Sequence, residues 1–371
     1  MSIYFFIYII SFIFSYCYSK CKSKDVRIVF LILTFLSLFL PLALRYNIGT
    51  DYKNYVSVLE PAMRGYYNDD WELGWNILII FMRKFQINIH FFFVFGAFFT
   101  ILFVMKTLSR EYFYLCIPIF VSVQYLESFS LVRQALAVAI LMYALKTYSE
   151  RRRFKGILLI ALACCFHESS FVLFLVLPFF ELKYKYINNY TCCLVFGTIY
   201  IALQILHLGE KILVKSFSFI PLIAVYMSSQ FNQATKMGSG LGLLLREMIV
   251  FVPLLFLRKQ DFEYNTTIKK GKTVILKSLD YNMFFILSAL IFSADILSGQ
   301  IHIFNRLVNL FTMVYVYEAQ LILKSKSKYR KILICWLLLC YFVIFAFSVY
   351  VEKSSNKGGL GITPYQSIFC K

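Results

Sequence analysis

The chain has 371 residues, 60% of them hydrophobic and only 15% charged, with a mean hydropathy of +0.71. Soluble globular proteins are about 45–50% apolar and about 25% charged, so a soluble enzyme or binding module is excluded and a polytopic membrane protein is indicated. The formal charge of +19 then reads as Lys and Arg in cytoplasmic loops and not as a nucleic-acid surface.

The first apolar run, 3–18, has no basic residues before it and no small-residue cleavage site after it, so it is a span and not a signal peptide. Lys20, Lys22, Lys24 and Arg27 follow against Asp25 and mark a cytoplasmic loop. A second span over 26–44 delivers Arg45 to the outer face. The outer loop 45–72 sets Asp51, Glu60, Asp69, Asp70 and Glu72 against Arg45, Lys53 and Arg64, and is the sizeable acidic loop of the chain. Residues 73–85, with Trp71 and Trp75 at their start, are too short to span comfortably and predict an amphipathic helix on the outer interface.

Spans over 87–105, 112–128 and 131–148 come next. The cluster Lys146, Arg151, Arg152, Arg153 and Lys155 after them is the clearest cytoplasmic marker in the sequence. The run 156–180 carries His167, Glu168, Ser169 and Ser170 inside an otherwise apolar stretch. Either it is one span with these four at mid-depth, or it is two half-length helices meeting at a polar apex, a re-entrant hairpin. Both arrangements require a cavity or partners for the polar groups. A span over 190–208 follows, and 209–240 is either an outer loop with an amphipathic helix or one further span.

Spans over 241–257, 282–300, 303–323 and 332–351 alternate with basic loops at 258–280 and 324–331, which leaves the tail from 352 outside. The fold class expected is an all-α polytopic membrane protein, a single domain over 1–371 with about ten to twelve spanning helices and outer-face loops. The ten cysteines lie mostly within apolar runs and contain no C-x-x-C. They read as small buried hydrophobes, neither a disulfide framework nor a metal site.

This topology collects particular polar residues on the outer side. Arg45 and Asp51 lie in R-Y-N-I-G-T-D-Y, and Arg133 and Gln134 one turn into the span at 131–148. His167 and Glu168 sit at the interruption of 156–180, and Arg306 begins a late span. Ionisable groups at membrane depth are costly and mark sites by default. Arg133 needs an anion or a carboxylate partner, with snorkelling to the headgroups as the structural alternative. His167 is a general base or a substrate-orienting group, with a packing role as its alternative.

Several arginines converging on one side, with no P-loop, no G-x-G-x-x-G and no H-x-x-x-H, suit a diphosphate. They do not suit a nucleotide or a metal, and no cofactor is expected. In a transferase the arginines, with Gln134 and Glu168 beside them, bind diphosphate and glycan. His167, or Asp51 in its place, takes the proton of an acceptor hydroxyl.

R-Y-N-I-G-T-D-Y-x-N-Y at 45–55, then Glu72-x-Gly74-Trp75, V-R-Q-A-L-A-V-A-I, C-F-H-E-S-S-F and a Pro364-Tyr365 tail resemble, in that order, the EpsG family. The resemblance covers nearly the whole chain and is looser in the last third, around Arg306. It implies a bacterial exopolysaccharide, capsule or O-antigen polymerase of the Wzy type in the cytoplasmic membrane. Donor and acceptor would be undecaprenyl-diphosphate-linked glycans. A chain-length regulator and a flippase are the expected protein partners, with no nucleic acid. It supports Arg45, Asp51, Arg133, Gln134 and His167 as site positions. A glycan ligase, or a flippase of lipid-linked glycan, is the rival reading; a flippase predicts inverted repeats, and no matching motifs are evident in the two halves.

Overall fold

A computed structural model describes residues 2–66, 71–181, 195, 197–199, 241–257, 264–268, 272–276, 279–300, 305–354 and 360–369. The expected span at 190–208 and the alternatives at 209–240 lie essentially outside the described residues. Contacts group the chain into two compact units, Met1–Leu175 with Leu338–Lys371, and Val176–Leu337.

The first unit begins with α1 (Ser2–Lys20) and α2 (Lys24–Ala43). The short α3 (Tyr52–Met63) and α4 (Leu73–Lys84) follow, then α5 (His90–Thr107) and α6 (Phe113–Phe120). It continues with α7 (Val132–Ser149), α8 (Arg153–Cys164) and the start of α9 (Val172–Phe180). Neighbouring helices pack in the order α6, α1, α2, α5, α7, α8. The centre of this layer is α7, whose Ala135, Leu136, Ala137, Val138, Ala139, Ile140, Leu141 and Met142 are all buried. A helix that is apolar all round belongs in the interior, and its alanines let neighbouring backbones approach closely. On α1 and α2, by contrast, Phe6, Ile9, Ile13, Val29 and Ile32 are exposed, as lipid-facing side chains are.

The second unit holds α10 (Leu241–Phe256), α11 (Leu279–Gln300), α12 (Asn305–Phe311), α13 (Met313–Lys324) and the start of α14 (Arg330–Ser354). Helices α10, α11 and α13 pack on one another, and each buries one carboxylate, Glu247, Asp295 and Glu318 respectively.

Among the described residues, four helices are long and apolar enough to cross a membrane: Ile3–Lys20, Lys24–Ala43, His90–Thr107 and Arg330–Tyr350. The all-α membrane class therefore holds, but several expected spans are interrupted, each for a local reason. The segment 112–128 is α6, a π-helical turn Val121–Tyr125 and a 3-10 turn Glu127–Phe129. Pro118 in α6 withdraws an amide from the helical ladder, and the Ser122 hydroxyl donates to the Pro118 carbonyl at 2.8 Å. The segment 303–323 divides at Thr312, whose hydroxyl donates to Asn309 O at 2.7 Å and competes with the ladder.

The basic loop 258–280 contains an antiparallel hairpin, β1 (Tyr264–Ile268) and β2 (Lys272–Leu276), with Tyr264 opposite Leu276. Its Thr, Val and Ile residues favour strand over helix. The run 156–180 is α8 and α9 separated at Cys165–His167 and a 3-10 turn Glu168–Phe171, so the polar residues lie at a break between two helices. Helix α4 is short, as expected, but apolar on both sides where an amphipathic helix was expected. It buries Trp75, Leu78, Ile79 and Met82 and exposes Leu73, Ile77, Ile80 and Phe81, with Arg83 and Lys84 in its last turn.

The loop after α2 is closed by the tail. Gly49 N–H donates to Gly361 O at 2.8 Å, Thr50 N–H to Leu360 O at 3.2 Å, Tyr46 N–H to Gln366 O at 3.0 Å and Ile368 N–H to Leu44 O at 3.0 Å. The Ser130 hydroxyl donates to Leu360 O at 2.7 Å, Tyr365 Oη to Pro41 O at 2.9 Å, and Tyr4 Oη to Ile362 O. One end of the first unit thus collects the start of α1, the loop 44–50, the turn before α7 and the tail. At sites away from these, Arg110 Nη2 donates to Cys21 O and Lys146 Nζ to Lys106 O, so the basic loops join one another.

Candidate active site

The break after α8 leaves carbonyls with no helical partner, and the start of α4 has amides with none, because each helix end orphans its terminal groups. The two ends satisfy each other. Gly74 N–H, in the first turn of α4, donates to Cys165 O at 2.7 Å. The Trp75 indole Nε1–H donates to Phe166 O at 2.9 Å. A Cβ on Gly74 would lie 2.8 Å from both Cys165 O and the Phe166 ring, so the approach requires glycine. The Trp75 ring is fully buried, with centroids 4.6 Å from Phe92 and 5.3 Å from Phe166.

Glu72 occupies the residue before α4 in an extended conformation, and its carboxylate is the hub of the site. Oε2 accepts from Arg133 Nη1 at 2.5 Å and Oε1 from His167 Nδ1 at 3.0 Å. Burial opposes its charge, but the His167 hydrogen bond and the Arg133 cation outweigh this and hold its pKa below the usual carboxylate value. An ionised carboxylate only accepts, so Nδ1 of His167 carries the proton. Among the described residues, His167 Nε2 is buried with no hydrogen-bond partner, as are Arg133 Nε and the hydroxyls of Ser169 and Ser170. The Arg133 guanidinium lies 5.1 Å from the Trp71 ring centroid, a cation–π contact, and 27% of its side chain is exposed.

Tyr55 of α3 is buried beside this cluster. Burial raises its hydroxyl pKa to about 12; Arg133 and Arg45 act to lower it and Asp51 to raise it. Asp51 stands just before α3 and is half-buried, so Tyr55 is the neighbour it shares with Arg133.

Arg45 is placed differently. It is 1% exposed, and its Nη1 donates to Leu42 O at 2.6 Å at the end of α2. Its guanidinium sits 5.0 Å from the Phe93 ring and 5.5 Å from Phe129. Burial lowers its pKa to about 10, which leaves it protonated at neutral pH. A cation there complements the carboxyl end of α2 and offers no open face to a ligand.

Gln134 is buried on α7, and Glu168 is exposed and takes no part in the ion-pair cluster. Arg306 belongs to α12 in the second unit, and its side chain lies outside the described residues. The sequence reading thus picked out two members of the cluster, Arg133 and His167. It left Glu72 among the acids of loop 45–72 and did not single out Tyr55; the signal available was the motif Glu72-x-Gly74-Trp75, all of whose named residues contact the break or its histidine. Among the described residues, no three His, Cys, Asp or Glu side chains are placed to hold a metal ion.

No curated protein and no solved structure matches the chain. The family model of EpsG matches residues 28–367, nearly the whole length. That span takes in Arg45, the Glu72–Arg133–His167 cluster and the tail that closes over Gly49. The chain belongs to the EpsG family, membrane proteins of bacterial polysaccharide synthesis.

Proposed function

We propose that the protein is a glycosyltransferase that polymerises undecaprenyl-diphosphate-linked repeat units on the outer face of the cytoplasmic membrane. The observation that carries this reading is a part-buried imidazole whose Nε2 has no hydrogen-bond partner among the described residues, beside a part-exposed arginine, at a break between two apolar helices. A base and an anion-binding group side by side are what such a transfer requires. In the transfer, the acceptor hydroxyl oxygen forms a bond to the donor's anomeric carbon while that carbon's bond to the diphosphate oxygen breaks. The diphosphate leaves with the electron pair, and the hydroxyl proton passes to His167 Nε2. Arg133 counters the charge growing on the diphosphate. Because the donor is already activated, the reaction needs no nucleotide. The same surface glycan made by a capsule, exopolysaccharide or O-antigen system would meet these requirements.

The test is the surface glycan of a strain lacking the gene, complemented with variants. The deletion strain should carry single repeat units, with long chains restored by the wild-type protein and not by Arg133→Ala. Glycan absent from the surface of the deletion strain would indicate a flippase or a ligase instead. Long chains made by Arg133→Ala would remove that arginine from the mechanism.

A further inference from the structure

Glu72 is bonded on one side to the proposed base and on the other to the proposed anion-binding arginine, and its side chain is 7% exposed. With Nδ1–H held by a carboxylate, an imidazole can present only Nε2 as an acceptor, and the ring plane is fixed by that bond. Around the ring, the charged and titratable groups are Glu72 from the start of α4, Arg133 from α7 and Glu168 from its own turn. Of these, Glu72 alone bonds the ring among the described residues. Arg133 in turn fixes the carboxylate, and the Gly74 amide on Cys165 O and the Trp75 indole N–H on Phe166 O fix the backbone on both sides. A nucleophile activated by a base, with the base oriented by a third group, is a recurring arrangement.

We infer that Glu72 is the positioning residue of the transfer, setting His167 with Nε2 toward the acceptor hydroxyl. This rests on the polymerase reading above. The competing role is purely mechanical, a staple joining α4 to the break.

A double-mutant cycle separates the two. Wild type, Glu72→Gln, His167→Ala and the double variant are placed in proteoliposomes at equal protein amounts, with lipid-diphosphate-linked repeat unit extracted from a strain lacking the protein. Glu72→Gln should lower kcat by about 100-fold or more with KM changed by less than about threefold. The double variant should be no slower than His167→Ala, because a residue acting through the imidazole has nothing to position once it is gone. Glu72→Asp should recover part of the loss; where Glu72→Gln accumulates poorly, Glu72→Asp with and without His167→Ala reads the same coupling.

A Glu72→Gln enzyme as fast as wild type overturns the assignment. Losses that multiply in the double variant do so as well, since a staple acts independently of the ring. Wild-type protein that lengthens no chains removes the reaction, and the assignment with it.

Discussion

Two residues show how environment assigns different duties to the same chemistry. Arg133 and Arg45 are both arginines at the ends of apolar helices, and sequence alone leaves both open to anion binding or to snorkelling. Arg133 reaches a carboxylate and keeps part of its surface open, whereas Arg45 is enclosed by aromatic rings and bonds its own helix end. Arg45→Met should therefore act through folding, lowering thermal stability in detergent by roughly 2–4 kcal/mol. The difference was not legible because the rings that enclose Arg45, Phe93 and Phe129, come from distant segments. Gly49 makes a sharper case. Its φ is +97°, and a Cβ there would lie 2.0 Å from Phe129 O, so Gly49→Ala should destabilise by at least about 1–3 kcal/mol; a melt indistinguishable from wild type would refute this. The depressed carboxyl of Glu72 gives a pH dependence with a defined sign. Its charge-dependent stability is complete above the ordinary carboxylate value of 4.5 and is lost as pH falls through the lower folded value. Thermal stability should accordingly drop at the acid end in wild type more than in Glu72→Gln.

At the scale of elements, the junction of α4 with the break after α8 carries the site. The interruption of 156–180 was visible in the sequence, since four polar residues in an apolar run must be housed somewhere. What housed them was not visible. Glu72 is 61 residues from Arg133 and 95 from His167, and no local periodicity encodes a pairing of that range. Helix α4 was legible as a short helix, yet its amino end proved more informative than its apolar faces. Trp75→Phe keeps the ring and removes the indole donor to Phe166 O. It should cost about 1–3 kcal/mol, the usual cost of an unsatisfied buried acceptor, and should reduce chain formation by loosening the histidine's support. Full activity with an unchanged melt would show that another donor replaces the indole. The hairpin in 258–280 escaped notice because its lysines marked the loop's side and drew attention from the β-branched residues between them.

For the whole molecule, the membrane class followed from composition alone, and the family from ordered short motifs. The breaks inside the expected spans did not follow, because prolines and hydroxyls interrupt runs that hydropathy treats as continuous. The tail bonds directly to the loop 44–50 and to Ser130, so those segments must share a side of the membrane. A reporter following the tail and one near Asp51 should give the same compartment signal, and one after Arg153 the opposite signal; disagreement between the first two would be incompatible with the tail's hydrogen bonds. The lacing also bears on biogenesis. Pro41 and Tyr365 are 324 residues apart, so the first helices enter the bilayer long before the strand that closes their loop has been synthesised. Through that interval the amides of Gly49 and Thr50 lack their final partners. A ribosome that stalls before Leu360 would release a chain whose opening helices are inserted but unsealed, the kind of substrate that membrane quality-control proteases remove. Cellular abundance of the protein should thus depend on the integrity of residues 360–368.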